Sequence, residues 1–176
     1  MPPRIEPGTV LQVPDLGVTV EVRATSASTG GAFTEFDVSG RPRGVIALPH
    51  VHGEQTERHE VMEGTMRLAI GGQEHRLGPG EAMLVPVGVR HRQRAGRGKA
   101  PNRVRVRLEP AGDSDAFLAE LAAIGESGGY DRLGMPRPKA AAKLVRDFGE
   151  GNRVAFPPLR LQYVLSRVLL RRGLGH

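Results

Sequence analysis

Hydrophobic and polar residues alternate in many short stretches of the first 110 residues. Val18, Val20 and Val22, for example, are separated by Thr19 and Glu21. Such a period of two is typical of a β-strand with one buried face. The pattern predicts strands over residues 10–13, 17–22, 32–38, 45–52, 57–62, 65–70, 73–77, 82–85, 91–94 and 103–108. Because glycine and proline turns separate these short strands, the sequence predicts a β-sandwich or barrel.

Beyond the last predicted strand, the apolar residues recur at helical spacing. A first helix is predicted around 117–124, with Asp113 or Ser114 as its N-cap. A second helix covers 139–148, and Pro157 opens a third. In the third helix, leucines and valines lie on one face and the arginines lie largely off it. We favour packing of this face on its own domain or on a sister subunit over contact with a membrane surface.

The change of period divides the chain into two parts. A length of 176 residues suits one well-packed domain with an appendage. We therefore predict a β-barrel over 1–110 and a helical extension of about three helices over 111–176. The extension is expected to pack on the barrel or on a partner subunit.

The chain is basic, with 25 Lys and Arg residues against 19 Asp and Glu residues. A net charge of +6 fits a nucleic-acid partner or an acidic ligand. No helix-turn-helix or aromatic-interleaved basic motif accompanies the charge, so we predict no nucleic-acid partner. Arg103, Arg105 and Arg107 share the polar face of the last predicted strand. We interpret them as a solvated face or a subunit contact, with an anion-binding ridge as the alternative.

Cysteine is absent, which excludes disulfides, thiolate zinc sites and a thiol nucleophile. The N-terminus has no apolar stretch typical of a signal peptide, and no run of about 18 apolar residues predicts a membrane span. We therefore expect a cytoplasmic protein.

Candidate chemistry begins at a His-x-His pair. His50 and His52 leave the same face of a strand, and Glu57 follows after a short turn that contains glycine. His91 would arrive from another strand. Three imidazoles and one carboxylate suit Fe(II), Mn(II), Ni(II), Cu(II) or Zn(II) better than Ca(II) or Mg(II). On an octahedral ion these four ligands leave two positions open, whereas on tetrahedral zinc they close the site and favour a structural role.

These residues belong to a wider pattern that resembles the cupin superfamily. Nine spaced residues match its two motifs: Gly44-x5-His50-x-His52-x4-Glu57-x6-Gly64 and Gly80-x5-Pro86-x-Gly88-x2-His91. One position departs from the pattern, because Ala95 stands where the second motif usually ends in Asn. The resemblance implies a double-stranded β-helix (a cupin or jelly-roll barrel) of about six to eight strands, commonly a homodimer. It also implies that His50, His52, Glu57 and His91 are the metal ligands.

Strand parity identifies neighbours of the predicted metal. His59 shares the face of Glu57, so these two residues are candidates for moving protons, with His59 as general base or substrate anchor. The alternative for His59 is a hydrogen-bonded interior residue. Gln93 shares the face of His91 and is predicted either to contact substrate or to bond a ligand's outer nitrogen. Further residues could wall the cavity or simply fill the core: Met66, Leu68, Met83 and Val85.

We predict a metal-dependent enzyme that acts on a small oxygen-bearing organic molecule in the barrel. A dioxygenase-like reaction would use the open metal positions, and an isomerase-like reaction would use the same site as a Lewis acid. The alternative is a non-catalytic cupin that binds or senses a small molecule, and a structural or storage role is third. One fold hosts many chemistries, so the motifs predict a metal more firmly than a reaction.

Overall fold

The computed structural model describes residues 4–97 and 101–171, except for the side chain of Arg171. Within these residues the chain forms eleven strands and four helices. The strands are β1 (Val10–Val13), β2 (Val18–Ala24), β3 (Thr34–Gly40), β4 (His50–His52), β5 (Thr56–Glu63), β6 (Met66–Ile70), β7 (Gln73–Leu77), β8 (Ala82–Val85), β9 (His91–Ala95), β10 (Arg103–Glu109) and β11 (Asn152–Val154). The helices are α1 (Ser26–Thr29), α2 (Ser114–Glu126), α3 (Pro138–Phe148) and α4 (Leu159–Arg171).

The strands form two antiparallel sheets. One sheet has the order β1-β2-β3-β10-β5-β8, and the other has the order β11-β4-β9-β6-β7. Val61, Leu68 and Val85 are among the residues buried in the core that the two sheets share. The predicted all-β, double-stranded β-helix with a C-terminal helical extension is thereby confirmed. The described residues contain more strands than the resemblance implies, partly because β1 and β11 extend the sheet edges.

The predicted strand over 45–52 is wrong for its first half. Residues Gly44–Ala47 form a 3₁₀ turn, and only His50–His52 is a strand. Gly44 has a positive φ of 64°, which turns the chain away from an extended path. Pro49 then lacks the amide hydrogen that a continuing strand would donate to its neighbour. The two metal-candidate histidines therefore lie on a very short strand.

The arginines of β10 face a buried carboxylate on the outer side of the six-stranded sheet. Only 1% of Asp37 is exposed. Its Oδ1 accepts a hydrogen bond from Arg105 Nε at 2.7 Å, and its Oδ2 accepts one from Arg23 Nη2 at 2.8 Å. Arg103 Nη2 lies 2.9 Å from Glu63 Oε1. The predicted basic ridge is thus largely neutralised by acidic residues of the same chain.

The helical extension is joined to the barrel at the β4–β5 loop. Gln55 is 2% exposed, and its Nε2 donates to the carbonyl oxygens of Pro110 and Ala111 at 2.8 and 2.7 Å. The same nitrogen lies 2.8 Å from Ser114 Oγ at the start of α2. Farther along, β11 pairs with β4. The extension thus returns to the strand that carries two of the candidate ligands.

Helix α4 turns its polar face inward. Gln162 and Ser166 are buried, and Gln162 Nε2 donates to the Val154 carbonyl oxygen at 3.0 Å. The predicted apolar stripe does not pack on the chain's own barrel. Its members are between one third and three fifths exposed: Leu161 48%, Val164 57%, Leu165 48%, Val168 44% and Leu169 36%. Among the helices within the described residues, none is long and apolar enough to cross a membrane.

Candidate metal centre

Four candidate ligands converge at one end of the barrel. His50 and His52 lie two residues apart on β4, so both imidazoles leave the same face. His91 opens β9 and pairs with His50 across the sheet. Glu57 comes from β5 of the other sheet. The possible ligand atoms of these four residues all lie within 4.8 Å of one another.

The carboxylate of Glu57 lies among the imidazoles. Its Oε2 is 2.7 Å from His91 Nε2 and 3.4 Å from His52 Nε2. The ring centroids of His50 and His91 are 4.1 Å apart. These distances leave little room between the donors, so a bound ion would push them slightly apart. A small divalent ion surrounded by nitrogen and oxygen donors is consistent with this spacing.

Several buried donor atoms in the cluster form no well-aligned hydrogen bond. Within the described residues this holds for both ring nitrogens of His52, and for His91 Nε2 and Glu57 Oε2, which lie 2.7 Å apart. Unpaired polar atoms in a protein interior are costly unless another group satisfies them. A divalent transition metal would accept lone pairs from these atoms. The residues present therefore fit the ion that the motifs predict.

Backbone carbonyls set the orientation of two imidazoles. His50 Nδ1 lies 2.9 Å from the Leu48 carbonyl oxygen, and His91 Nδ1 lies 3.0 Å from that of Val89. A carbonyl oxygen can only accept, so each Nδ1 carries the hydrogen when the ring is neutral. The Nε2 lone pairs then remain available for a metal.

The charges of the cluster suit metal binding. Burial, followed by the neighbouring His91, lowers the pKa of His50 to about 4, so its imidazole is neutral near pH 7. Burial by itself raises the pKa of Glu57, but the imidazoles of His59 and His52 lower it well below its ordinary range. Burial lowers the pKa of His91, but the Glu57 carboxylate outweighs it and raises that pKa. An ionised carboxylate beside imidazoles is the state that a divalent cation requires.

Two glycines let the chain approach this end of the barrel. Gly88 has a φ of 74°, and its amide donates to the His52 carbonyl oxygen at 2.8 Å. This bond holds the turn before His91 against β4. Gly53 donates to the Gly151 carbonyl oxygen at 2.9 Å, and a Cβ on Gly53 would collide with the backbone of Glu150. The metal-candidate strand is therefore in direct contact with the helical extension.

The two predicted polar helpers lie close to the cluster. His59 is 1% exposed, and its Nε2 lies 3.0 Å from Glu57 Oε2. Gln93 Nε2 donates to the Ile46 carbonyl oxygen at 3.4 Å. Its Oε1 is buried without a hydrogen-bond partner in the described part of the chain. The outer nitrogens of His50 and His91 are bonded by backbone carbonyls, so Gln93 does not take that alternative role.

A cavity of about 340 Å³ opens from the cluster. His50, His52, Glu57 and Gln93 line one part of it. A second cavity of about 30 Å³ lies beside His59 and is lined by Gln93 as well. Gln93 thus separates the larger cavity from His59.

Some of the apolar residues that were predicted to line the cavity do not line it. Met66 lines the small cavity beside His59, whereas Leu68 and Met83 line neither cavity. Leu68 is fully buried in the core, and Met83 pairs with His59 in the sheet register. Strand parity identifies the inward face, but it does not distinguish core from cavity wall.

Sequence reasoning missed the contribution of the extension. In the register of β11 with β4, Asn152 pairs with His52 and Val154 pairs with His50. Both residues line the large cavity, together with Phe117 of α2 and Leu144 of α3. A three-residue strand is too short to show alternation, so no local signal identifies β11.

Comparison with protein families identifies the barrel. Residues 38–106 match the family described as "Cupin domain". Both motifs, with all four candidate ligands, fall inside the matched residues. Residues 38–106 therefore form a cupin domain.

Solved structures include several similar cupin-like chains. KdgF from Halomonas sp. is 22% identical with a TM-score of 0.49, over 60% of this chain and 89% of that chain. A sugar phosphate isomerase of the cupin superfamily from Silicibacter pomeroyi is 27% identical with a TM-score of 0.45, over 54% of this chain and 61% of its own. The polyketide cyclase RemF from Streptomyces resistomycificus is 25% identical with a TM-score of 0.47, over 62% of this chain and 80% of its own. No curated protein matches the chain.

Proposed function

We propose that this cupin is a metal-dependent enzyme that acts on a small oxygen-bearing organic molecule. The observation that carries the proposal is a cluster of four donor residues, three of them buried and His50 half-buried, at the wall of a cavity of about 340 Å³. Clefts of about 300–1,000 Å³ with a few convergent polar groups are typical of small-molecule sites. The reaction is dioxygenase-like or isomerase-like.

His50, His52, Glu57 and His91 would hold the divalent transition metal, which is Fe, Mn, Ni, Cu or Zn. When bound, the metal would supply Lewis acidity toward an oxygen atom of the substrate.

The chain's own residues would position the substrate and manage a proton. Gln93 offers an unpaired Oε1 as a hydrogen-bond acceptor beside the cluster. His59 lies behind Gln93 and 3.0 Å from Glu57 Oε2, close enough to exchange a proton with that carboxylate. The apolar walls would keep water away from the reacting atoms.

A non-catalytic binding or sensing protein is the second candidate. One observation favours it: among the described residues that line the large cavity, the ionisable ones are three candidate ligands and Arg153. His59 borders only the small cavity. A site with so few proton-transfer groups suits binding as well as reaction.

A metal-by-substrate assay separates these functions. The purified protein is stripped, loaded in turn with Fe(II), Mn(II), Ni(II), Cu(II) or Zn(II), and mixed with diols, keto acids, phenols and sugars. Oxygen uptake with a product supports the dioxygenase-like reaction, and conversion without oxygen uptake supports the isomerase-like one. Ligand-induced thermal stabilisation without conversion supports the binding protein.

The His91→Ala variant is the control, because it retains the cavity but loses a ligand. If the His91→Ala variant were as active as the wild type, metal dependence would be contradicted. If no metal is retained by the wild-type protein after gentle purification and loading, both metal-dependent reactions are rejected.

A further inference from the structure

We propose that the helical extension completes an apolar chamber over the metal centre, and that this chamber selects a largely apolar, uncharged molecule bearing a hydroxyl group. The inference deepens the proposed function and rests on it only for the contact between hydroxyl and metal. The selection of an apolar body by the extension depends on the cavity alone.

The chamber connects the barrel to the helices. Its inner part is lined by His50, His52 and Glu57. Its outer part is lined by residues of the extension, which are Phe117, Leu118 and Leu121 of α2 and Ala141, Leu144 and Val145 of α3. The barrel wall adds further aliphatic side chains, such as Val18 and Val20 of β2. A ligand that reaches the cluster therefore also contacts the extension.

The walls favour an apolar body. Burying apolar surface stabilises a complex in proportion to the area removed from water. Each hydroxyl of a sugar would instead lose its water partners against aliphatic walls and would find few replacements. A polyhydroxylated or phosphorylated molecule is therefore disfavoured here.

Charge in the chamber argues for an uncharged ligand. Arg153 is the one Lys or Arg side chain among its described lining residues. It pairs with Val51 in the register of β11 with β4, whereas the flanking Asn152 and Val154 pair with the two histidines. Neighbouring residues of a strand alternate between faces, so Arg153 lies on the face of β11 opposite to that of Asn152 and Val154. Its Nη1 donates to the Glu150 carbonyl oxygen at 3.1 Å.

Two buried acceptors call for a hydroxyl donor. Gln93 and Gln162 both line the chamber, and both have a buried Oε1 without a partner among the described residues. Their amide nitrogens already donate to backbone carbonyls, Gln93 to Ile46 and Gln162 to Val154. This fixes each Oε1 as the free end of the amide. A ligand hydroxyl is a donor that satisfies such an acceptor.

Fluorescent probes test the chamber, and the absence of tryptophan keeps the protein background low. Fluorescence gives the dissociation constants of 1-naphthol and naphthalene for metal-free and metal-loaded protein, and titration calorimetry tests D-glucose. We expect both naphthalene compounds to bind the metal-free protein and glucose not to bind. The hydroxyl should strengthen binding of 1-naphthol about three- to tenfold over naphthalene, as one hydrogen bond predicts. Gln93→Leu should remove much of that advantage.

A matched pair of substitutions locates the bound probe. Ala141→Phe fills the chamber from α3, whereas Ala116→Phe adds the same ring on the exposed side of α2. We expect Ala141→Phe to weaken binding of both naphthalene compounds more than about tenfold, since it removes the space that they occupy. The Ala116→Phe variant should bind both naphthalene compounds as tightly as the wild type does. Circular dichroism checks that each variant is folded.

Two outcomes would overturn the chamber: glucose binding as tightly as naphthalene, or equal probe binding by folded Ala141→Phe and the wild type. Should Ala141→Phe fail to fold, the wild-type comparison of probes still decides. The contact between hydroxyl and metal is tested separately. It is refuted if metal loading does not change the affinity for 1-naphthol although the other probe results agree with the chamber. In that case the proposed metal-dependent function is wrong and the apolar ligand class is retained.

Discussion

Two buried carboxylates on the same sheet have opposite surroundings. Asp37 on the outer face of β3 is bonded by Arg23 and Arg105, so its oxygens are satisfied within the chain. Glu57 on the inner face of β5 lies among imidazoles, and within the described residues its Oε2 forms no well-aligned hydrogen bond although His91 Nε2 lies 2.7 Å away. A buried carboxylate that arginines satisfy needs no ligand, whereas one that shares a site with unsatisfied imidazoles indicates a ligand. The comparison distinguishes a structural ion-pair cluster from a binding site.

The largest effect is expected on metal affinity, when a candidate ligand beside Glu57 is removed. Replacing His91 with alanine removes a donor that lies 2.7 Å from Glu57 Oε2. Because even outer partners of metal ligands change affinity by about 10–100-fold, loss of a ligand should weaken metal binding more than about 100-fold. The dissociation constant of the purified protein for Zn(II) or Mn(II) measures this. His75→Ala, at a partly buried histidine of β7 outside the cluster, should leave affinity unchanged.

A second prediction concerns the paired carboxylate. Asp37→Asn removes the charge that Arg23 and Arg105 share, and it should lower the free energy of unfolding by about 2 kcal/mol. This is below the usual cost of breaking a buried pair, since the arginine side chains are 34% and 29% exposed. Urea unfolding measures the change. Metal affinity should not change, and a loss of metal binding would contradict the separation of the two clusters.

The same substitution should change how stability depends on pH. Burial alone raises the pKa of Asp37, but Arg105 and Arg23 hold that pKa below its ordinary value. A carboxylate with a lowered pKa contributes stability above its unfolded pKa of about 3.9, and that stability is lost as pH falls through its folded pKa. The difference in unfolding free energy between wild type and Asp37→Asn should therefore be constant near pH 7 and shrink below about pH 4. A difference that grows in acid would refute this.

Gln55 is intermediate between Asp37 and Glu57. Its amide nitrogen has hydrogen-bond partners, whereas its Oε1 has none among the described residues. Gln55→Leu removes the bonds to the start of the extension and takes the Gln55 donor from the Pro110 carbonyl oxygen, whereas the Ala111 carbonyl oxygen still accepts from the Ser114 amide. We expect a loss of about 1–2 kcal/mol in unfolding free energy. Thermal unfolding measures it, and metal affinity serves as the control. An unchanged stability would mean that water replaces these bonds.

The smallest effect on monomer stability is expected at the exposed stripe of α4. Leu165→Glu alters a residue that is 48% exposed, so the unfolding free energy should change by less than about 0.5 kcal/mol. The homodimer implied by the resemblance stays a prediction, and this stripe is the surface on which we test it. If the stripe forms the interface, light scattering should detect a shift from dimer to monomer. A dimer that persists in this variant would direct attention to another surface.

Much of the barrel could be predicted because its pattern is local. Val104, Val106 and Leu108 alternate with arginines, and β10 forms over the same residues with those three side chains buried. The helices begin and end near the predicted positions, since apolar spacing and caps are properties of neighbouring residues. The four candidate ligands were found because two spaced motifs carry them.

Other features could not be predicted because they depend on distant contacts. The sequence pattern predicts a strand over 45–52, because it does not reveal that the Val45 amide donates to the distant Gly134 carbonyl oxygen. The pattern of β10 predicts a solvated face or a subunit contact for its arginines, although Asp37 on a neighbouring strand pairs with Arg105. In each case the deciding partner is remote in sequence.

For this protein, the sequence alone determined most of the strands, the three longer helices and the identity of the four metal-candidate residues. Periodicity and motif spacing can be identified along the sequence itself, so no information on tertiary packing was needed. The tertiary structure decided that His50, His52, Glu57 and His91 bring their donor atoms within 4.8 Å. It also decided that the extension returns through β11 to wall an apolar chamber over them. Both depend on pairing between strands far apart along the chain, which only folding establishes.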